Sequence, residues 1–173
     1  MYGSRFLAIL GFIIIGVTSR LIPHPPNFTA INAIALFSAF YQGNLWFSLA
    51  TVTSTLFFSD AILGFHSTMP FVYLGFALTI LLGYQFRSNL STGRIVPVSL
   101  ASSLLFFLVS NFGVWMSGFL YPKTFHGLGL CYLAAIPFLG NQILSDLVYC
   151  GLLSACFIFG KSVFQRKIMI HDA

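Results

Sequence analysis

Gln142, Asp146 and Tyr149 stand at i, i+4 and i+7 in one apolar run. On a helix that spacing puts a hydrogen-bonding amide, a carboxylate and a phenol on one face. Asn111, Trp115 and Gly118 repeat the arrangement on another run. A third group, Arg20-Leu21-Ile22-Pro23-His24-Pro25-Pro26-Asn27-Phe28-Thr29, packs a cation, an imidazole, an amide and three prolines between two apolar segments. Asp60, His66, Tyr121 and Asn141 complete the polar groups set in or beside apolar sequence. The chemistry of these types is recognition: Arg20 and the aspartates fix charge, the amides give directional hydrogen bonds, and Trp115 stacks. Asp60 and Asp146 would also serve as an acid–base pair, although neither lies in a protease-like motif.

The proline-rich stretch constrains its own backbone. Proline has no amide hydrogen and biases the residue before it away from helix. The segment is therefore extended or kinked, with carbonyls that lack intrahelical partners. In so apolar a chain, water, protein or a ligand must satisfy them.

The elements that position these groups follow from composition. The chain has 173 residues, 58% of them hydrophobic and 6% charged, with mean hydropathy +0.93. A soluble domain carries about 25% charged residues, so this is an integral membrane protein. The net charge of +5 is not a nucleic-acid footprint, because the cations lie mostly at the ends of apolar runs and report topology. Cys131, Cys150 and Cys156 have no metal-ligand spacing, and the last two read as small apolar fillers. The N-terminal run resembles a signal peptide without a small-x-small cleavage site, so it is expected to stay as the first helix.

A spanning helix needs about 20 apolar residues. Spans are expected at 5–22, 28–43, 45–63, 70–86, 96–119 and 133–159, in one transmembrane domain covering 1–173. The second is the weakest, since Ala30–Tyr41 alone rises only about 18 Å. The sixth is long enough to tilt or to emerge from the bilayer. Gly43-Asn44, Ser88–Gly93 and Tyr121–Gly129 read as connections, and Pro70 and Pro97 suit the first turns of the fourth and fifth helices. With both termini cytoplasmic, Arg5, Arg87, Arg94, Lys161, Arg166 and Lys167 fall inside and Arg20 and Lys123 outside, as the positive-inside rule requires. The fold class is thus an all-α six-transmembrane-helix bundle.

On that topology Arg20, His24, Asn27, Asp60, His66, Asn111, Trp115, Tyr121, Asn141, Gln142 and Asp146 all belong to the outer half, while the cytoplasmic half is almost wholly apolar. Asp146 is the deepest. A charge near the bilayer centre costs about 2.5–3.5 kcal/mol and faces a cavity or a partner. Structural roles remain open for the same residues. Asn111 and Asn141 would serve as interhelical glue, at about 0.6 kcal/mol each. Asp60 would pair with Arg20, Asp146 would bond Gln142 or Tyr149, and Trp115 and Tyr121 would anchor the interface.

The run Arg20-x-x-Pro-His-Pro-Pro-Asn-Phe-Thr29 followed by Ile31-x-Ala33-x-Ala35-Leu36-Phe37 resembles the signature of a family of uncharacterised bacterial membrane proteins. So do Ser59-Asp60-x3-Gly64-x-His66, Asn111-Phe112-Gly113-Val114-Trp115 with Tyr121-Pro122, and Ala134-Ala135-Ile136-Pro137-Phe138. That family in turn is similar to the S components of energy-coupling-factor (ECF) vitamin transporters. The resemblance implies six helices, cytoplasmic termini, the bacterial inner membrane, and a proline-rich loop or plug over an outward-facing pocket. It also implies a transmembrane coupling subunit and cytoplasmic ATPases as partners. No Gly-x4-Gly-Lys loop occurs here, so any ATPase is a separate chain. S components carry an alanine-x3-alanine pattern on the first helix; here Ala35 and Ala39 have that spacing, on the second.

The expected function is therefore non-enzymatic capture of a small, vitamin-like nutrient by a transporter subunit, with no cofactor and no nucleic acid. Two alternatives carry different signatures. Transition-metal uptake would use His24, His66 and His126, because imidazole suits nickel, cobalt or zinc. A structural membrane protein would have a dry, packed interior around Asp146.

Overall fold

Turn chemistry divides the apolar sequence into six helices: α1 (Tyr2–Leu21), α2 (Ile31–Gln42), α3 (Leu45–Leu63), α4 (Met69–Phe86), α5 (Thr92–Ser117) and α6 (Phe125–His171). The computed structural model describes residues 2–87 and 92–171, with side chains over 6–40, 43–87, 94–157 and 159. Residues 88–91 of the expected Ser88–Gly93 connection lie outside the described residues. So do the side chains of Arg5, Lys161, Arg166 and Lys167.

Helix ends follow local rules. Gly43 takes a left-handed φ of 61° after α2, and the Asn44 side chain then accepts from the Trp46 and Phe47 amides to cap α3. Such a cap is worth about 1 kcal/mol. Pro70 sits in the first turn of α4, where its missing N–H costs nothing.

Several boundaries differ from the sequence expectation, and the largest difference is the end of α6, which runs to His171 rather than 159. Helix α5 starts at Thr92, which leaves Pro97 inside it rather than in its first turn. It stops at Ser117, where Gly118 turns left-handed. Helix α6 starts at Phe125, eight residues before the expected 133, because the Thr124 hydroxyl accepts the Gly127 amide and opens the helix there. Gly127 is a packing position rather than a turn: a Cβ there would stand 2.0 Å from the Pro122 carbonyl.

Leu45–Leu63, Met69–Phe86, Arg94–Ser117 and Phe125–Phe157 are long and apolar enough to cross a membrane, so the chain is a multi-pass helical membrane protein. The apolar parts of α1 and α2, Phe6–Leu21 and Ile31–Phe40, are shorter. Twelve residues of α2 rise about 18 Å, against about 30 Å of hydrocarbon.

Helix α2 is the core of the bundle. Every residue from Ala30 to Ala39 is buried, the polar Asn32 and Ser38 included, and the helix packs on all five others. Small residues permit this. A Cβ on Gly16 of α1 would stand 2.4 Å from Thr55 Cγ2 on α3, and one on Gly83 of α4 would stand 3.2 Å from Ala39 Cβ. Close backbone approach is how helices gain contact where lipid removes the hydrophobic drive.

The pairing of α5 with α6 changes along its length. Ser99 meets Cys150 and Ser103 meets Asp146, four residues apart on each helix. A further contact, the Cys131 thiol on the Asn111 carbonyl, lies eight residues further along α5 but fifteen back along α6. Those are rises of about 12 Å and 22 Å. Helix α6 therefore departs from α5 over the stretch that contains Pro137, and from this stretch Asn141 and Gln142 face the α1–α2 connection.

Candidate functional site

The stranded carbonyls of the proline-rich stretch find their partners on α6. Asn141 Nδ2 donates to the Pro26 carbonyl at 3.0 Å and Ser145 Oγ to the Thr29 carbonyl at 2.8 Å. The Tyr149 ring sits 6.1 Å from that of Phe28. These three α6 residues recur every fourth position, so one stripe holds the segment along its length. At the other edge Ser19 Oγ accepts the Ala30 amide at 3.1 Å. Asn27 has φ 64°, a left-handed conformation that asparagine tolerates better than most side chains. The connection thus runs from the end of α1 down into the bundle, and α2 starts at depth.

Next to that stripe on α6 lies a second, Gln142 and Asp146. Asp146 Oδ2 accepts from Asn32 Nδ2 of α2 at 2.6 Å and from Ser103 Oγ of α5 at 2.5 Å. Asn32 Nδ2 also donates to Ser102 Oγ at 2.9 Å. Asp146 Oδ1, Asn32 Oδ1 and Gln142 Oε1 are buried without a hydrogen-bond partner. A buried acceptor left unmade costs about 1–3 kcal/mol, so three of them clustered together mark a place arranged for something else.

At the end of α1, Arg20 Nη2 lies 2.7 Å from Asp60 Oδ1 and Nη1 donates to Ser59 Oγ at 2.7 Å. Tyr73 of α4 donates its hydroxyl to Asp60 Oδ2 at 3.0 Å. This network ties three helices together and compensates a carboxylate that is only 1% exposed.

Between the two clusters is a cavity of about 310 Å³. Arg20, His24, Asn27, His66, Gln142 and Asp146 line it together with Asn32 and Thr29. Its apolar walls come from Ile31, Leu56, Leu63, Val72, Phe76 and Phe106. It reaches from the loops at one end of the bundle to the Asn32–Asp146 contact, roughly mid-way along α5. His24 Nδ1 lies 2.8 Å from the Pro25 carbonyl, and His66 Nδ1 lies 2.8 Å from Thr68 Oγ1, both exposed at the mouth.

The remaining sequence candidates sit elsewhere. Asp60 is behind Arg20 and does not line the cavity. Asn141 holds the loop. Asn111 donates to the Phe107 carbonyl of its own helix, and Trp115 Nε1 donates to the Pro122 carbonyl, closing the α5–α6 connection. Neither these two nor Tyr121 is among the lining residues. His126 is exposed in the first turn of α6, apart from His24 and His66. Among the described residues, no three of His, Cys, Asp and Glu are grouped to hold a metal ion.

Asn32, which lines the cavity, and Ser102 and Ser103, which bond Asn32 and Asp146, belong to the candidate site but were not singled out by spacing alone. The signal was present, because an amide in the middle of an apolar helix needs a partner. Its partner is 114 residues away, and nothing local names it.

A family model described as a family of unknown function (DUF6580) matches residues 2–168. No curated protein and no solved structure matches the chain.

Proposed function

Since the chain belongs to the DUF6580 family, whose function is unknown, its activity must be argued from its own geometry, and we propose that it captures a small molecule within the membrane as the binding subunit of an uptake system. The observation that carries this is the cavity itself. All six helices converge on about 310 Å³ of space, with charged and amide groups at its mouth and at its deep end and apolar side chains on its walls. Ligand sites are about 300–1,000 Å³, mostly apolar, with a few polar groups that orient the ligand.

The cation distribution favours a mouth that faces outward, with both termini in the cytoplasm of a bacterial cell and six helices embedded in its inner membrane. The connection at residues 22–30 then forms the wall nearest the exterior, consistent with an S-component-like arrangement. A transmembrane coupling subunit and cytoplasmic ATPases would supply energy from other chains. They would not dock through Ala35 and Ala39, both fully buried in α2.

Mass spectrometry of gently extracted protein tests the proposal. The expected result is one retained small molecule, lost from Val72→Trp, whose indole fills the cavity without touching the polar cluster. If the folded wild type and Val72→Trp yield the same small-molecule content, capture in this cavity is refuted.

A further inference from the structure

We infer that the deep end of the cavity is built for the cationic nitrogen of a small organic ammonium carried on an apolar or aromatic body. This rests on the capture reading and narrows its substrate class. The orientation of Asn32 is set by its neighbours. Its Nδ2 donates to both Ser102 Oγ and Asp146 Oδ2, and turning the amide over would press its oxygen against the carboxylate. Asn32 Oδ1 is therefore an acceptor, and it has no donor. The same holds for Asp146 Oδ1, on a side chain 1% exposed. Gln142 Oε1 adds a third unpartnered oxygen, on a side chain 3% exposed. Two acceptors fixed in this way, with the Gln142 amide beside them able to present its oxygen as a third, call for a ligand that donates several hydrogen bonds. An ammonium carries three N–H donors and no acceptor.

Charge points the same way. Arg20 is held at 2.7 Å by Asp60, so its charge is already matched at the mouth. The contacts of Asp146 are to neutral groups, Asn32 and Ser103. An anionic ligand entering this end would meet acceptor oxygens and a carboxylate. A cation would meet a charge-assisted hydrogen bond. Phe76 and Phe106, with ring centroids 4.4 Å apart, also line the cavity and give it an aromatic wall for the ligand's apolar body. The volume far exceeds a single inorganic ion, and the apolar walls would leave most of such an ion unsolvated.

The test is a matched set of probes on the purified full-length protein: phenethylamine and tryptamine, with 2-phenylethanol and phenylacetate as neutral and anionic counterparts. Thermal unfolding and calorimetric Kd are read for each. Both amines are expected to raise Tm with concentration, and the alcohol and the acid to leave it unchanged. Asp146→Asn should weaken amine binding by about ten- to hundredfold. Gln142→Leu, which keeps the volume, should weaken it less, and it serves as the readout if Asp146→Asn does not fold. Phenylacetate binding as tightly as phenethylamine would overturn the inference, as would amine affinity unchanged in the folded variants. Sodium or potassium chloride alone reproducing the stabilisation would overturn it in favour of an inorganic cation. If none of the four probes shifts unfolding, the ammonium class fails, while capture itself stands or falls by the mass-spectrometric comparison with Val72→Trp.

Discussion

Arg20 shows how one residue serves two structures. Its guanidinium lines the cavity, yet both of its terminal nitrogens are engaged by Asp60 and Ser59 at 2.7 Å. Removing one partner of a buried pair leaves the other uncompensated, at a cost of about 3–5 kcal/mol. Arg20→Ala should therefore lose stability of that order in a detergent-unfolding titration. The double variant Arg20→Met with Asp60→Leu should regain most of it, because two apolar groups of similar size need no partner. If the single variant were as stable as wild type, the ion pair would not be what joins α1, α3 and α4. Asp146 differs in kind: its carboxylate is held by neutral donors and keeps one oxygen free, which suits a group that waits for a ligand.

Among the elements, the α1–α2 connection carries the closest link between local structure and function. Its backbone has little secondary structure of its own, and it keeps its shape through side chains from α6 and α1. Hydrogen bonds of this kind contribute about 1 kcal/mol each. Asn141→Ala and Ser145→Ala should each speed amide exchange across residues 22–29 by about fivefold, read by hydrogen–deuterium exchange, with the amides of α2 unaffected. Unchanged exchange in both variants would mean that the loop is held by something other than that stripe.

At the scale of the molecule, the polar cavity occupies the half of the bundle defined by the ends of α1 and α3 and the starts of α2 and α4. The positive-inside count predicts that this half faces outward. In a background with Cys131, Cys150 and Cys156 replaced, His66→Cys and Lys123→Cys should react with a membrane-impermeant maleimide on intact cells. Arg87→Cys should react only after permeabilisation. The reverse pattern would invert the molecule and turn the cavity toward the cytoplasm.

The amino-acid sequence alone determined the medium, the helical class and the clustering of scarce polar groups toward one end. These follow from composition and from the cost of burying unpaired polar groups in lipid, which no tertiary arrangement can escape. It also marked 28–43 as the weakest of six expected spans, since length is a local property. Which polar residues share one space was decided only by the tertiary structure. Arg20, His24, Asn27, His66, Gln142 and Asp146 meet at the cavity, whereas Asn111 and Trp115 spend their hydrogen bonds on nearby backbone. Helical spacing specifies a face but not the neighbour that face meets. Asn32 reaches Asp146 only because α2 is wrapped by the other five helices, a relation that periodicity along one helix does not contain.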